Sequence, residues 1–138
     1  MAHILLVDDD PVLSSLLARL VRRLGHTVAV AGNGAEGLAL ASAQPFDLII
    51  TDVMMPDQDG YELTRVLRAL PATRETRILI FTSRLQGPDA DLALAAGADS
   101  YVMKTVNLDR LNVIIAEVLA DRPTHSLISP NRRSDESL

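Results

Sequence analysis

The chain has 138 residues and a formal net charge of −5, with 48% hydrophobic residues, 3% aromatic residues and no cysteine. This length suits one domain with a buried core, and the absence of cysteine excludes disulfides, thiol catalysis and thiolate metal sites. The acidic balance argues against direct nucleic-acid binding, and neither an apolar run of membrane-spanning length nor a signal-peptide pattern is visible, so we expect a cytoplasmic protein outside the membrane.

Strand-like and helix-like segments alternate along the chain. Short apolar runs predict the strands, and apolar residues spaced three and four apart predict the helices. Asp10 and Pro11 mark the start of the first helix, and the capping-box spacing of Asp59 and Glu62 marks the start of the third. The predicted order is strand 3–7, helix 11–24, strand 27–31, helix 35–43, strand 47–51, helix 59–70, strand 77–82, helix 88–96, strand 100–103 and helix 107–120.

Three of the predicted helices carry apolar stripes that we expect to face the core. The stripe of the first helix consists of Val12, Leu13, Leu16, Leu17, Leu20, Val21 and Leu24. Those of the third and the last helix consist of Leu63, Val66, Leu67 and Leu70, and of Leu108, Leu111, Ile115 and Val118.

The strands are apolar without alternation, as in parallel sheets that helices cover on both faces. Right-handed crossovers then predict an α/β fold, a (βα)5 doubly wound open parallel sheet with strand order 2-1-3-4-5. We expect residues 1–121 to form this domain and residues 122–138, where apolar periodicity is lost, to form a flexible tail or linker. The tail suits a stand-alone domain or a piece of a longer protein, and we expect no DNA-binding domain after residue 121.

Polar residues follow the predicted strands at their carboxyl ends, where such sheets place their ligand sites. Asp8 and Asp9 follow the first strand, Asp52 follows the third, Thr82 ends the fourth and Lys104 follows the fifth. Strand order 2-1-3-4-5 would bring the three carboxylates together. An all-oxygen set of this kind suits Mg²⁺. Asp52 could then attack phosphorus, while Thr82 and Lys104 bind phosphoryl oxygens.

Each of these residues also has a simpler interpretation. Asp10 is a helix cap rather than a ligand, because Pro11 follows it. Taken singly, the other acids suit solvated loops, and Thr82 and Lys104 suit an ordinary surface. Their placement at successive strand ends is what favours a site.

These stretches resemble the receiver domain of two-component response regulators, the CheY-like superfamily with a flavodoxin-like fold. The resemblance covers residues 3–120 and rests on "ILLVDDDP", "LIITDVMMPDQDGYEL", "ILIFTS" and "ADSYVMK". It implies a phosphoacceptor switch that promotes its own phosphorylation and dephosphorylation, rather than a conventional enzyme. The phosphoryl donor would be a phosphohistidine on a sensor histidine kinase or a histidine phosphotransfer protein.

The resemblance also assigns roles to individual residues. Asp52 would be the phosphoacceptor, and Asp8, Asp9, Asp52 and the backbone carbonyl of Met54 would hold Mg²⁺. Thr82 and Lys104 would sense the phosphoryl group, and Tyr101 would be the switch aromatic that follows Thr82. Judged from its strand alone, Tyr101 is a half-buried strand residue.

By the same resemblance, a downstream target or a second copy of the chain would bind the face made by the fourth helix, fifth strand and fifth helix. On this chain that face would include Leu92, Ala96, Tyr101, Val106 and Arg110. One departure concerns Thr105, which stands where the family usually has a cis proline. Since a cis bond before a non-proline residue costs about 2.5–4 kcal/mol, a trans bond would reshape the loop that carries Lys104.

Three alternatives remain open at this point. Gly32, Gly34 and Gly37 in "AGNGAEG" have the G-x-G-x-x-G spacing of a dinucleotide-binding loop, but they follow a strand predicted at the sheet edge, whereas such a loop follows the central strand. "DDDPV" fits the opening of haloacid-dehalogenase-type phosphatases with Asp8 as nucleophile, which leaves the Asp52 segment unexplained. A degenerate receiver that only binds other proteins would keep the fold without the chemistry.

Overall fold

The computed structural model describes residues 1–83 and 89–120 and confirms the predicted α/β architecture. The elements are β1 (His3–Val7), α1 (Pro11–Arg23), β2 (Thr27–Ala31), α2 (Gly34–Ala43), β3 (Leu48–Thr51), α3 (Gly60–Ala69), β4 (Arg77–Thr82), α4 (Asp89–Ala96), β5 (Ser100–Met103) and α5 (Leu108–Leu119). The predicted tail, residues 122–138, lies outside the described residues, so its boundary stays a prediction. Within the described ranges, none of the helices has the length and apolar character needed to cross a bilayer.

The five strands form one parallel sheet in the predicted order β2-β1-β3-β4-β5. Ile4 pairs with Val28 on one side and with Leu48 on the other, which places β1 and β3 side by side at the centre of the sheet. Since consecutive helices cross to opposite faces at this point, the ends of β1 and β3 border the crevice where such folds bind ligands.

Apolar side chains of the sheet alternate between two cores. Ile4 and Leu6 belong to a cluster with α1 and α5, whereas Leu5 and Val7 belong to a cluster with α2, α3 and α4. Both faces of β1 are therefore buried, which explains why its sequence is continuously apolar.

The predicted core stripe of α1 is partly wrong. Val12 is 78% exposed, Leu16 is 45% exposed and Leu24 is 41% exposed, while Ser14, Leu17, Ala18 and Val21 are buried. With about 100° of rotation per residue, Leu16 and Val12 lie about 100° and 140° from Leu17 around the helix axis, on the side away from Ser14 and Ala18. The small residues Ser14 and Ala18 lie on the buried side of α1, where Ala18 joins the core cluster with the sheet.

The other two stripes agree better with the structure. Leu63 and Leu67 of α3 are buried, and Val66 and Leu70 are half-buried. In α5, Leu111, Ile115 and Val118 are buried as predicted, whereas Leu108 in the first turn is exposed and Ile114 takes its place in the core.

Candidate functional site

The carboxyl ends of four strands place the predicted site residues at one edge of the sheet. Parallel pairing continues for one residue past the strands, because the Asp8 N–H donates to the Ala31 carbonyl at 3.0 Å and the Asp52 N–H donates to the Val7 carbonyl at 2.9 Å. The Lys104 N–H likewise donates to the Thr82 carbonyl at 2.8 Å. The backbones that carry the two buried acids and the lysine are thus held by the sheet itself.

Three carboxylates meet at this edge, as the sequence predicted. One oxygen each from Asp8, Asp9 and Asp52 lies within 4.8 Å of the other two. Asp8 and Asp52 are each only 6% exposed, whereas Asp9 is open to solvent. Three carboxylate oxygens gathered at this distance form the all-oxygen donor set that suits Mg²⁺, with room for water molecules as further ligands.

Lys104 lies between the two buried carboxylates. Its Nζ is 2.9 Å from Asp8 Oδ2 and 3.0 Å from Asp52 Oδ2. Burial acts to lower the pKa of Lys104, but its hydrogen bonds and charge interactions with Asp8 and Asp52 outweigh burial and raise that pKa. The lysine is therefore held as an ammonium ion that neutralises part of the acidic cluster.

Burial also dominates the environment of Asp8. It raises the pKa of the Asp8 carboxyl, and the charge of Asp52 acts in the same direction, while hydrogen bonds from Lys104 and from the Asp10 N–H partly offset the rise. A buried carboxylate with a like charge beside it binds a cation favourably. The charges of the acidic cluster therefore favour a bound cation, as its oxygen ligands do.

The structure resolves the question raised by Thr105. The Lys104–Thr105 peptide bond is trans, and the Lys104 side chain nevertheless reaches both carboxylates. The missing proline does not remove the lysine from the site.

Thr82 and Tyr101 lie on the neighbouring strands β4 and β5 and have different environments. Thr82 ends β4, is buried, and pairs with Met103 next to Lys104. Tyr101 is half-buried and packs against the core cluster shared by α2, α3 and α4. Burial, with a smaller contribution from the charge of Asp91, raises the pKa of the Tyr101 hydroxyl.

The loop between β3 and α3 is closed at its base beside Asp52. The Val53 N–H donates to Asp52 Oδ1 at 2.7 Å, and the Gly60 N–H donates to the Val53 carbonyl at 2.9 Å. A Cβ atom at Gly60 would collide with the backbone oxygen of Asp52. Met54, predicted to offer its carbonyl to the metal, is the third residue of this loop and is exposed.

Two acids near the site are helix caps, as the sequence predicted. Asp10 Oδ1 accepts from the Val12 and Leu13 N–H groups, and Asp59 Oδ1 accepts from the Glu62 N–H. Both acids hold backbone amides rather than joining the cluster.

Sequence reasoning missed Asp57, at the tip of the β3–α3 loop. Its carboxylate oxygens accept from the N–H groups of Gly34 and Ala35 at 3.0 and 2.9 Å. These partners are more than twenty residues away in the chain, and no local spacing signals such a contact.

The same contact explains the glycine motif. The first two amides of α2 already bind the carboxylate of Asp57, and β2 is the edge strand of the sheet. A Cβ atom at Gly37 would lie 2.8 Å from a methyl carbon of Val7, so this glycine serves the close packing of α2 on β1. These observations oppose a dinucleotide-binding loop.

A groove leads along α1 to the acidic cluster. It has a volume of about 780 Å³, and Asp8 and Asp9 line one end of it. Arg19, Arg22 and Arg23 of α1 line the groove away from the acids. The cluster is therefore accessible from the α1 side of the molecule.

Comparison with known proteins gives consistent results. Residues 4–116 match the family model described as "Response regulator receiver domain". Transcriptional regulatory protein AfsQ1 of Streptomyces coelicolor is 39% identical over 119 residues, which cover 86% of this chain and 52% of that protein. Protein PilH of Pseudomonas aeruginosa is 35% identical over 120 residues, which cover 87% of this chain and 99% of that protein. The chain thus spans about half the length of the first relative and nearly all of the second.

Solved structures agree with the sequence relatives. The chemotaxis response regulator CheY4 of Vibrio cholerae superimposes with a TM-score of 0.81 at 30% identity, over 86% of this chain and 98% of that one.

Proposed function

Because this chain belongs to the family of response regulator receiver domains, which act as phosphoacceptor switches in two-component signalling, we propose that Asp52 accepts a phosphoryl group in a Mg²⁺-dependent reaction. The donor is a phosphohistidine on a sensor histidine kinase or a histidine phosphotransfer protein. One observation carries this proposal: the carboxylates of Asp8, Asp9 and Asp52 converge within 4.8 Å while Lys104 contacts two of them.

In the transfer step an oxygen of Asp52 attacks phosphorus. The new P–O bond forms as the P–N bond of phosphohistidine breaks, and the electron pair of that bond returns to the imidazole nitrogen. Asp52 Oδ1 is held by the Val53 N–H and Oδ2 by Lys104. The carboxylate is therefore oriented before the donor arrives, which is the main contribution that a protein makes to phosphoryl transfer.

Asp8, Asp9, Asp52 and the Met54 carbonyl are the residues that would hold Mg²⁺. The ion would supply positive charge that screens the incoming phosphoryl oxygens from the carboxylates. Lys104 moves its hydrogen bonds from the carboxylates to a phosphoryl oxygen, and the Thr82 hydroxyl donates to another. By the same positioning, the residues around Asp52 promote both its phosphorylation and the later hydrolysis of the aspartyl phosphate.

Thr82 and Tyr101 carry the signal away from Asp52. When Thr82 binds the phosphoryl group, the packing of side chains beside β5 changes. The Tyr101 ring then adopts the orientation that the phosphorylated state favours. The affected surface is that of α4, β5 and α5, where a downstream target or a second copy of the chain binds. Leu92 and Arg110 of that surface are exposed, but Ala96 is buried against the core, so its inclusion in the predicted surface was wrong.

The groove along α1 gives the donor protein access to the acidic cluster at Asp8 and Asp9, and the switch surface lies on the other side of the sheet's centre. We place this chemistry in the cytoplasm, with protein partners rather than nucleic acid as direct ligands of this domain.

Intact-mass measurement tests the proposal. Wild-type protein incubated with Mg²⁺ and acetyl phosphate should gain one phosphoryl group, and the gain should disappear on chelation of the metal and in Asp52→Asn. Wild-type protein that neither gains mass nor binds Mg²⁺ would instead identify a degenerate receiver that acts only through protein binding.

A further inference from the structure

The tip of the β3–α3 loop is anchored on a helix that contributes no residue to the acidic cluster. Asp57 Oδ1 and Oδ2 accept from the first two amides of α2, Gly34 N–H and Ala35 N–H, at 3.0 and 2.9 Å. A helix N-terminus carries unpaired N–H donors and a partial positive charge, so it binds a carboxylate well. The hydrogen bonds from Ala35 and Gly34 lower the pKa of Asp57, so the carboxylate stays charged.

The remaining donors of this helix end are already used locally. The Glu36 N–H donates to Asn33 Oδ1 at 2.8 Å, and Glu36 Oε1 accepts from the Gly32 N–H at 2.7 Å. Asp57 thus differs from these local partners, because it accepts hydrogen bonds at the start of α2 from a distant part of the chain. The contact joins α2 to the loop that begins at the phosphoacceptor.

Gly34 lets the two segments approach. A Cβ atom at this position would lie 2.8 Å from Gln58 Oε1 and 3.1 Å from Gln58 Cβ. The loop tip therefore rests directly on the start of α2, and a side chain at position 34 would require Gln58 to shift.

Between this anchor and the closed base at Val53 and Gly60 lies Met54. With both ends held, the few residues of the loop have little freedom to rotate, and the direction of the Met54 carbonyl is set. If the contact of Asp57 with α2 were lost, the loop would stay closed at Val53 and Gly60. The residues between these points, Met54 among them, would then be free to rotate.

We infer that Asp57 is a positioning residue, whose carboxylate anchors the phosphoacceptor loop on α2 and thereby sets the affinity of the site for Mg²⁺. This rests on the proposed function, since it assumes that Asp8, Asp9, Asp52 and the Met54 carbonyl bind the ion. Asp57 itself touches neither metal nor phosphoryl group. Removal of residues that orient metal ligands typically weakens metal binding 10- to 100-fold, and a single loop anchor is expected at about the lower figure.

Mg²⁺ titration of four variants tests the inference. Asp57→Ala removes both acceptors, Asp57→Asn keeps one, and Gly34→Ala requires Gln58 at the loop tip to shift without changing charge. Asp47→Ala is the matched control, because Asp47 is an exposed acid that also accepts a backbone N–H, that of His3 at 2.8 Å, at the opposite end of the sheet. The dissociation constant is followed by NMR from the amide shifts of Asp9 and Val53, and amide hydrogen exchange is recorded at Gly34, Ala35 and residues 53–60.

We expect Asp57→Ala to raise the dissociation constant about tenfold, with smaller rises in Asp57→Asn and Gly34→Ala and less than a twofold change in the control. Exchange should accelerate at Gly34, Ala35 and the loop. Phosphorylation by acetyl phosphate should slow at low Mg²⁺ and return to within about twofold of wild type at saturating Mg²⁺, a recovery that a general loss of structure would not give.

Equal Mg²⁺ affinity in wild type and Asp57→Ala would overturn the inference and leave the proposed function intact. A phosphorylation defect that saturating Mg²⁺ does not relieve would overturn it as well. Wild-type protein and control that both fail to bind Mg²⁺ would overturn the proposed function and, with it, the role of Asp57.

Discussion

Replacement of Lys104 by methionine removes the only ammonium ion that the described structure places between Asp8 and Asp52. At 2.9 and 3.0 Å, with an effective dielectric constant of about 20, each ion pair corresponds to about 5.5 kcal/mol of Coulomb energy. The desolvation of the charges offsets much of this, and removal of one partner from a buried pair costs about 3–5 kcal/mol. The Lys104 side chain is 15% exposed, so water can reach the charges. We therefore expect Lys104→Met to lower the free energy of unfolding by about 3 kcal/mol, the low end of this range.

Such a loss should lower the melting temperature by about 10 °C for a domain of this size. The loss of stability should be largest in chelator, because the two carboxylates then face each other without a cation. Mg²⁺ should restore more than half of the lost stability. In wild type a bound metal would compete with the ammonium for the two carboxylates, and in Lys104→Met it would not, so the variant should bind Mg²⁺ more tightly.

Thermal unfolding followed by circular dichroism, in chelator and in saturating Mg²⁺, measures both effects. Arg65→Met is the matched control, since Arg65 is an exposed cation on α3 and its removal should change stability by less than about 0.5 kcal/mol. A Lys104→Met variant as stable as wild type in chelator, or stabilised by Mg²⁺ no more than wild type, would refute this reasoning.

Three further predictions concern packing and the switch. Arg68 donates to the carbonyls of Gly97, Arg74 and Thr76 and to Asp99, so Arg68→Met should lower the free energy of unfolding in urea by about 2–3 kcal/mol; a loss below about 0.5 kcal/mol would count against this network. Gly60→Ala should lower the free energy of unfolding by at least about 2 kcal/mol and slow phosphorylation, because its methyl group collides with the backbone oxygen of the phosphoacceptor, Asp52; wild-type stability and rate would show that the loop can shift freely. Tyr101→Ala should leave phosphorylation nearly intact, as measured by intact mass, but weaken the response of the α4-β5-α5 surface. Equal partner affinity of the phosphorylated wild type and variant would exclude the switch role.

The fold and the acidic cluster were predictable because each depends on local pattern and on one general rule. Continuous apolar runs identify strands buried on both faces, and the carboxyl ends of parallel strands share one edge. Asp8 and Asp52 follow directly from that rule, because each is the first residue after its strand.

What the sequence could not predict depends on packing between distant segments. The burial of Ser14 instead of Leu16 depends on how α1 is rotated against the sheet, which hydrophobicity alone does not determine. The contact of Asp57 with α2 and the bonds of Arg68 to Gly97 and Asp99 join segments that lie more than twenty residues apart in the chain. The reach of Lys104 depended on the conformation of a loop for which the family pattern, with its proline, was no guide.

The measurement that tests the central claim most directly is the identification of the phosphorylated residue. Borohydride reduction converts an aspartyl phosphate to homoserine, which tandem mass spectrometry locates in the chain. After incubation with Mg²⁺ and acetyl phosphate, the account predicts homoserine at position 52 alone, and none when Mg²⁺ is chelated. Homoserine at position 8 would contradict it, since that result would make Asp8 the nucleophile, as in the haloacid-dehalogenase-type alternative.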